Sequence, residues 1–270
     1  MVFQIKKVSD HGTANPIVAR LSLQTHELIQ FCSIEKDVKD KVIELYHDRI
    51  QPRVLTCDEI TQEISLEILA IAEELNAKGF DIQSQGRVIE VPQLTKLEPR
   101  VEQYLYSYKS ALRELSAIFN YFFGTEFNEA RFDKILKWSV DYFGEENELS
   151  RLLKEDQGLW IQKVISMRNA VEHPGGYSGY LHIHNFELLP ENHLEYPKVI
   201  EPTWHLNDEP AVSIAKDLLT NTDNLLTLCE DILVVCMVNK GIPNMLRIGE
   251  IPEAERDSLA PIRLRMVLNK

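Results

Sequence analysis

The chain has 270 residues, 44% of them hydrophobic, and a formal net charge of −13. That length suits one large domain, or a core domain with an added lobe, and supplies enough core to fold without disulfides or metals. The acidic balance excludes broad, sequence-blind binding to nucleic acid, which needs a positive surface to displace counterions. Only a local phosphate site built from a few residues remains open.

No apolar run reaches the roughly 18 residues of a membrane span. The opening MVFQIKKVSDHGTANP lacks a signal-peptide core, so a cytoplasmic protein with no membrane partner is expected. Cys32, Cys57, Cys229 and Cys236 form no C-x-x-C pair and lie in apolar or helical surroundings. They read as buried free thiols in a reducing compartment.

In chain order, VFQIKKV at 2–8 reads as a short strand. Leu23 to Arg49 is helical in period, with Leu28, Phe31, Ile34, Val38, Val42 and Leu45 on one side. Residues 58–78 form an amphipathic helix, capped by Asp58 and stopped by Gly79. Residues 80–97 read as a connector with a short strand at Arg87–Val91. A helix at 99–123 opens on Pro99 and ends at Gly124. A second covers 128–143, and a third runs from about Glu146 to Glu172 with an interruption near Gly158. The period then changes: YLHIHNFEL and YPKVIEPTWHL alternate and read as paired strands. A long helix at about 209–239 stops at Gly241, and PIRLRMVL in the tail reads as a last strand. The chain is therefore expected to be mainly α, its aromatic stripes serving as core packing.

The polar end of the third helix, SMRNAVEHPGG, stands apart. Arg168 continues an apolar row of Ile161 and Ile165 and so needs a partner, since an unpaired buried charge is costly. Glu172, four residues on, offers one. Pro174 pushes His173 out of helical geometry, leaving the imidazole able to swing back toward the preceding turn. A guanidinium fork beside a titratable ring suits phosphodiester chemistry. The arginine holds phosphate oxygens, the histidine moves a proton, and Asn169 orients either group. An alternative constellation is His182 and His184, which alternate on one strand face. With Glu187 or His205 they would suit Zn²⁺.

The stretch Arg168-Asn169-Ala170-Val171-Glu172-His173 resembles the signature of the HEPN superfamily. These are helical-bundle proteins marked by R-x4-6-H, usually with Asn, Asp or His directly after the arginine. The resemblance covers about 98–240. It implies a HEPN-like four-helix core there; the change of period places a β-hairpin at about 178–206 as an insertion between the last two core helices. Residues 1–97 would be an extra N-terminal helical lobe and 241–270 a tail. Many such proteins are metal-independent endoribonucleases acting as toxins, antiphage effectors or RNA-processing factors. The family pattern makes RNA the substrate, cleaved by 2′-hydroxyl attack, with no cofactor. The resemblance implies a homodimer through the motif-bearing helix, with a protein inhibitor or associated defence subunit as a further expected partner. Arg168 would bind the scissile phosphate, His173 would transfer protons, and Asn169 would support both. Other family members imply a different class, a non-catalytic dimeric interaction module.

Overall fold

A computed structural model describes residues 11–78, 91–189 and 198–269. Within them the protein is mainly α. The strand expected at 2–8, the helix stop at Gly79 and all of the Arg87–Val91 strand except Val91 lie outside the described residues. Val91 itself is irregular.

Helix α1 (residues 16–29) begins at Asn15, whose side-chain oxygen accepts the N–H groups of Ile17 at 2.9 Å and Val18 at 3.3 Å. This satisfies donors that the first turn leaves without partners. It is α-helical at Pro16–Val18 and Thr25–Ile29 and widens to π geometry over Ala19–Gln24. The continuous helix expected over Leu23–Arg49 is broken at 30–35. There the Ser33 N–H donates to the Gly241 carbonyl at 2.9 Å, so a distant carbonyl replaces the helical one. The break turns Phe31 out to solvent, while Leu28, Val42 and Leu45 are buried.

Helix α2 (residues 36–78) passes through Pro52 without stopping. Its pieces are Lys36–Glu44, a π segment at Leu45–Ile50, and Gln51–Lys78. Proline lacks an N–H, and its ring collides with the carbonyl four residues back. The widened turn just before Pro52 makes room for the ring. Asp58 therefore lies inside a helix and is not its cap. Its carboxylate accepts the Gln62 side-chain amide at 2.6 Å.

Helix α3 (Leu97–Phe123) ends at Gly124, which has φ +70°. The Asn120 amide then holds the following loop, accepting from the Phe127 N–H and donating to the Phe127 carbonyl, both at 2.7 Å. Helix α4 (Phe132–Phe143) consequently starts four residues later than 128. Helix α5 (residues 148–172) comprises Glu148–Asp156, a π segment at Gln157–Ile161, and Gln162–Glu172. The irregularity expected near Gly158 is thus a widened turn inside a continuous helix. The aromatic stripes pack as expected, with Tyr108, Phe122 and Phe132 buried.

Next come β1 (Leu181–His184), β2 (Glu187–Leu189), β3 (Lys198–Ile200), β4 (Thr203–Leu206) and β5 (Val212–Ser213). β1 pairs antiparallel with β4, and β2 with β3, as the alternating pattern indicated. β5 joins the outer side of β4, so helix α6 (Ile214–Lys240) starts later than 209. The tail forms an antiparallel pair of β6 (Leu246–Glu250) and β7 (Leu264–Leu268). Among the described residues no helix is long and apolar enough to cross a membrane.

Two compact units result. The first takes the described residues within Met1–Leu55, Ser107–Gln162 and Asp223–Lys270, the second those within Thr56–Tyr106 and Lys163–Thr222. In the first, the buried Tyr46 hydroxyl donates to the Cys229 carbonyl at 2.7 Å. In the second, the buried Trp204 ring donates from Nε1 to Asp217 at 2.8 Å. Both contacts satisfy polar atoms of large core side chains, which would otherwise be costly to bury.

All four cysteines are free thiols and buried. Burial pushes the Cys32 thiol up to about 11 and raises Cys57, Cys229 and Cys236 as well. The thiolate, not the thiol, is the nucleophile that attacks a labelling reagent. At pH 8 the folded protein is expected to leave the cysteines unlabelled, and denaturant to release all four, read by mass spectrometry. Rapid labelling of Cys57 or Cys229 in the native state would contradict this packing.

Candidate functional site

The motif sits at the last turn of α5, wholly within the second unit. The helix ends at Glu172, as the proline at 174 requires. The His173 N–H still reaches the Asn169 carbonyl at 2.9 Å. The chain then reverses. The Gly176 N–H donates to the His173 carbonyl, and the Gly175 N–H to the Gly179 carbonyl, each at 2.9 Å. Gly175 has φ +73°, and a Cβ there would lie 2.5 Å from the Tyr180 hydroxyl oxygen. A side chain there is strained by the backbone conformation whatever the space, and it would also push the exposed Tyr180 ring aside. Asn207 ties the turn to β4. Its side-chain oxygen accepts the Tyr180 N–H at 2.9 Å, and its amide donates to the Ser178 carbonyl at 3.2 Å.

The Arg168 side chain is 16% exposed and forms an ion pair with Glu172. The His173 side chain is 72% exposed, with Nε2 3.6 Å from Oε2 of Glu172, the oxygen that also faces Arg168. Arg168 and His173 therefore converge on one carboxylate oxygen. Burial lowers the Arg168 guanidinium from its ordinary value, and the nearby Tyr106 side chain opposes that shift. Asn169 is half-buried one residue along the helix. A planar cation and an exposed imidazole beside one anionic oxygen can hold an oxyanion while a proton moves to or from solvent.

His182 and His184 do face one side of the sheet. The His205 ring lies 4.7 Å from that of His182 and 5.6 Å from that of His184, inclined by 19° and 8°. His205 Nδ1 lies 2.6 Å from the Asn207 carbonyl, which can only accept, so that nitrogen carries the proton. His184 Nδ1 is 3.1 Å from Glu187. Near-parallel rings stacked face to face do not aim their nitrogens at a common point. Among the described residues no group of three or more His, Cys, Asp or Glu side chains is arranged to hold a metal ion.

Compared with protein-family models, curated proteins and solved structures, the chain matches none.

Sequence spacing pointed to Arg168, Asn169, Glu172 and His173. It carried no sign of Tyr106, Tyr180 or Asn207. Tyr106 lies on a different helix, and Asn207 follows a strand that pairs across the hairpin. An asparagine at φ +51° is the single local signal of Asn207's role, and a sequence does not display φ.

Proposed function

We propose that this chain is a metal-independent endoribonuclease of HEPN type, acting as a cytoplasmic homodimer whose copies meet through the helix that carries Arg168. The observation that carries this reading is the convergence of Arg168 and His173 on a single anionic oxygen. A nonbridging phosphate oxygen of RNA takes the place of the Glu172 carboxylate and is held by the Arg168 guanidinium. The 2′-hydroxyl oxygen bonds to phosphorus as the bond from phosphorus to the 5′-oxygen breaks. One His173 imidazole takes the 2′-proton, and that of the second copy gives a proton to the departing 5′-oxygen. Asn169 orients phosphate or imidazole through its amide. The products are a 2′,3′-cyclic phosphate and a 5′-hydroxyl. A toxin or antiphage effector held in check by a protein inhibitor or an associated defence subunit is the biological setting that goes with this chemistry.

The test is cleavage of single-stranded RNA in EDTA, with end-group analysis of the products. Cleavage that survives chelation, leaves a 2′,3′-cyclic phosphate and is missing from an equally purified His173→Ala protein supports the reading. Absence of cleavage, or its loss on chelation, overturns it.

A second reading draws on the ion pair itself. With Arg168 satisfied by Glu172, the same helix end suits a non-catalytic dimeric interaction module. A dimer that persists in solution and cleaves no RNA is the result that favours it.

A further inference from the structure

We infer that Glu172 is a built-in occupant of the anion site, so that an incoming phosphate must displace this carboxylate from Arg168 and His173. The inference rests on reading those two residues as a phosphate site, and it adds a means of restraint to that site. Three observations carry it. Oε2 of Glu172 is the shared partner of Arg168 and of His173 Nε2, the latter at 3.6 Å. The Glu172 side chain is 44% exposed, so it can swing into water, and the Arg168 guanidinium it leaves, 16% exposed, is then paired by the incoming phosphate. The helix ends at Glu172 and the chain reverses at Gly175 and Gly176, leaving that side chain on the last turn, beside the exposed imidazole.

An internal carboxylate competes with an external anion in two ways. It fills the donor positions of the guanidinium, and it adds a negative charge that repels phosphate at close range. Near a protein surface, two unit charges about 4 Å apart interact strongly enough to change an affinity by tenfold or more. The backbone carbonyls at the helix end add to the repulsion, since the C-terminal end of a helix is its negative pole. An anion therefore binds weakly unless something draws Glu172 aside.

The test titrates full-length protein with inorganic phosphate and follows the His173 imidazole by NMR, its resonance assigned with His173→Ala. Glu172→Gln keeps the shape and removes the charge. It is expected to bind phosphate at least about tenfold more tightly than the wild type. Adding Arg168→Ala to Glu172→Gln is expected to abolish the gain, which separates release of a specific site from a general change in surface charge. Equal phosphate affinity in wild type and Glu172→Gln, or weaker affinity in the variant, overturns the inference. RNA cleavage assayed on the same proteins separates the two readings. RNA cleavage by the wild type, together with unchanged phosphate affinity in Glu172→Gln, refutes the occupant and keeps the nuclease. Tighter phosphate binding with no cleavage by any protein supports the occupant and refutes the nuclease.

Discussion

Replacing Arg168 with alanine is expected to lower RNA cleavage in EDTA by on the order of 10²–10³-fold, the usual effect of removing one electrostatic contact to a developing charge. The fold should survive. The partner left behind, Glu172, is 44% exposed and can solvate its carboxylate in water. Arg168 is 16% exposed, so the pair is only partly screened and its loss costs more than the about 0.3–0.5 kcal/mol of a fully exposed i,i+4 pair, yet leaves no buried charge. Arg168→Lys restores the charge but not the planar fork. It is expected to recover only part of the rate, because an ammonium cannot present two parallel N–H groups to one phosphate. The loss should fall on kcat if the guanidinium acts in the transition state, and on KM alone if it only recruits RNA. A folded Arg168→Ala protein that cleaves at the wild-type rate would remove this residue from the site.

The largest loss of stability is expected from Glu230→Ala, in the first unit. The Glu230 side chain is 1% exposed, and three partners surround it. Arg20 Nε lies at 2.9 Å and the Gln24 side-chain amide at 2.7 Å. Arg263 Nε lies 2.8 Å from Oε2, as an ion pair and not a well-aligned hydrogen bond. Burial by itself would lower the Arg263 guanidinium; the carboxylates of Glu230 and Asp231 outweigh it and hold the group above its ordinary value. Removing Glu230 strips the counter-charge from Arg20, whose side chain is only 8% exposed and whose other carboxylate neighbour, Asp223, is 4.0 Å away. Breaking a buried pair in this way costs on the order of 3–5 kcal/mol.

The damage should extend to the tail hairpin. The Gln24 side-chain oxygen accepts the N–H groups of Arg263 and Leu264 at 2.7 and 2.6 Å, anchoring the start of β7. Loss of Glu230 releases the other end of that amide. Urea denaturation checks the expectation. Glu230→Ala should move the midpoint far down at an unchanged slope, and Glu230→Gln should fall between it and the wild type. Glu146→Ala, which breaks the exposed pair with Arg151, should leave the midpoint where it is. Equal midpoints for Glu230→Ala and Glu146→Ala would show that this cluster does not hold the unit together.

Much of the helical pattern was legible in the residues themselves. Gly124, Gly144 and Gly241 stop helices where φ turns positive, and Pro174 ends α5 two residues before itself. The pairing of β1 with β4 followed from alternation. What escaped had non-local causes. Residues 30–35 keep a helical period, yet the Ser33 N–H finds the Gly241 carbonyl and the helix yields to it. The gap left between the helices expected at Leu23–Arg49 and 58–78 lies inside one helix, because a widened turn makes room for the Pro52 ring. At the site, the i,i+4 spacing of Arg168 and Glu172 was readable, whereas the approach of His173 to the same oxygen is a matter of side-chain placement that spacing does not give.

By itself, then, the sequence determined the mainly α character, the C-terminal ends of α3 to α6 and the placing of a cation, an amide and an imidazole at one helix terminus. Each of these depends on backbone preferences and side-chain periodicity within a few residues. Tertiary structure alone decided which carboxylate holds Arg20 and Arg263. Contacts made through a chain reversal, or between residues 210 apart such as Arg20 and Glu230, leave no periodic trace in the order of amino acids.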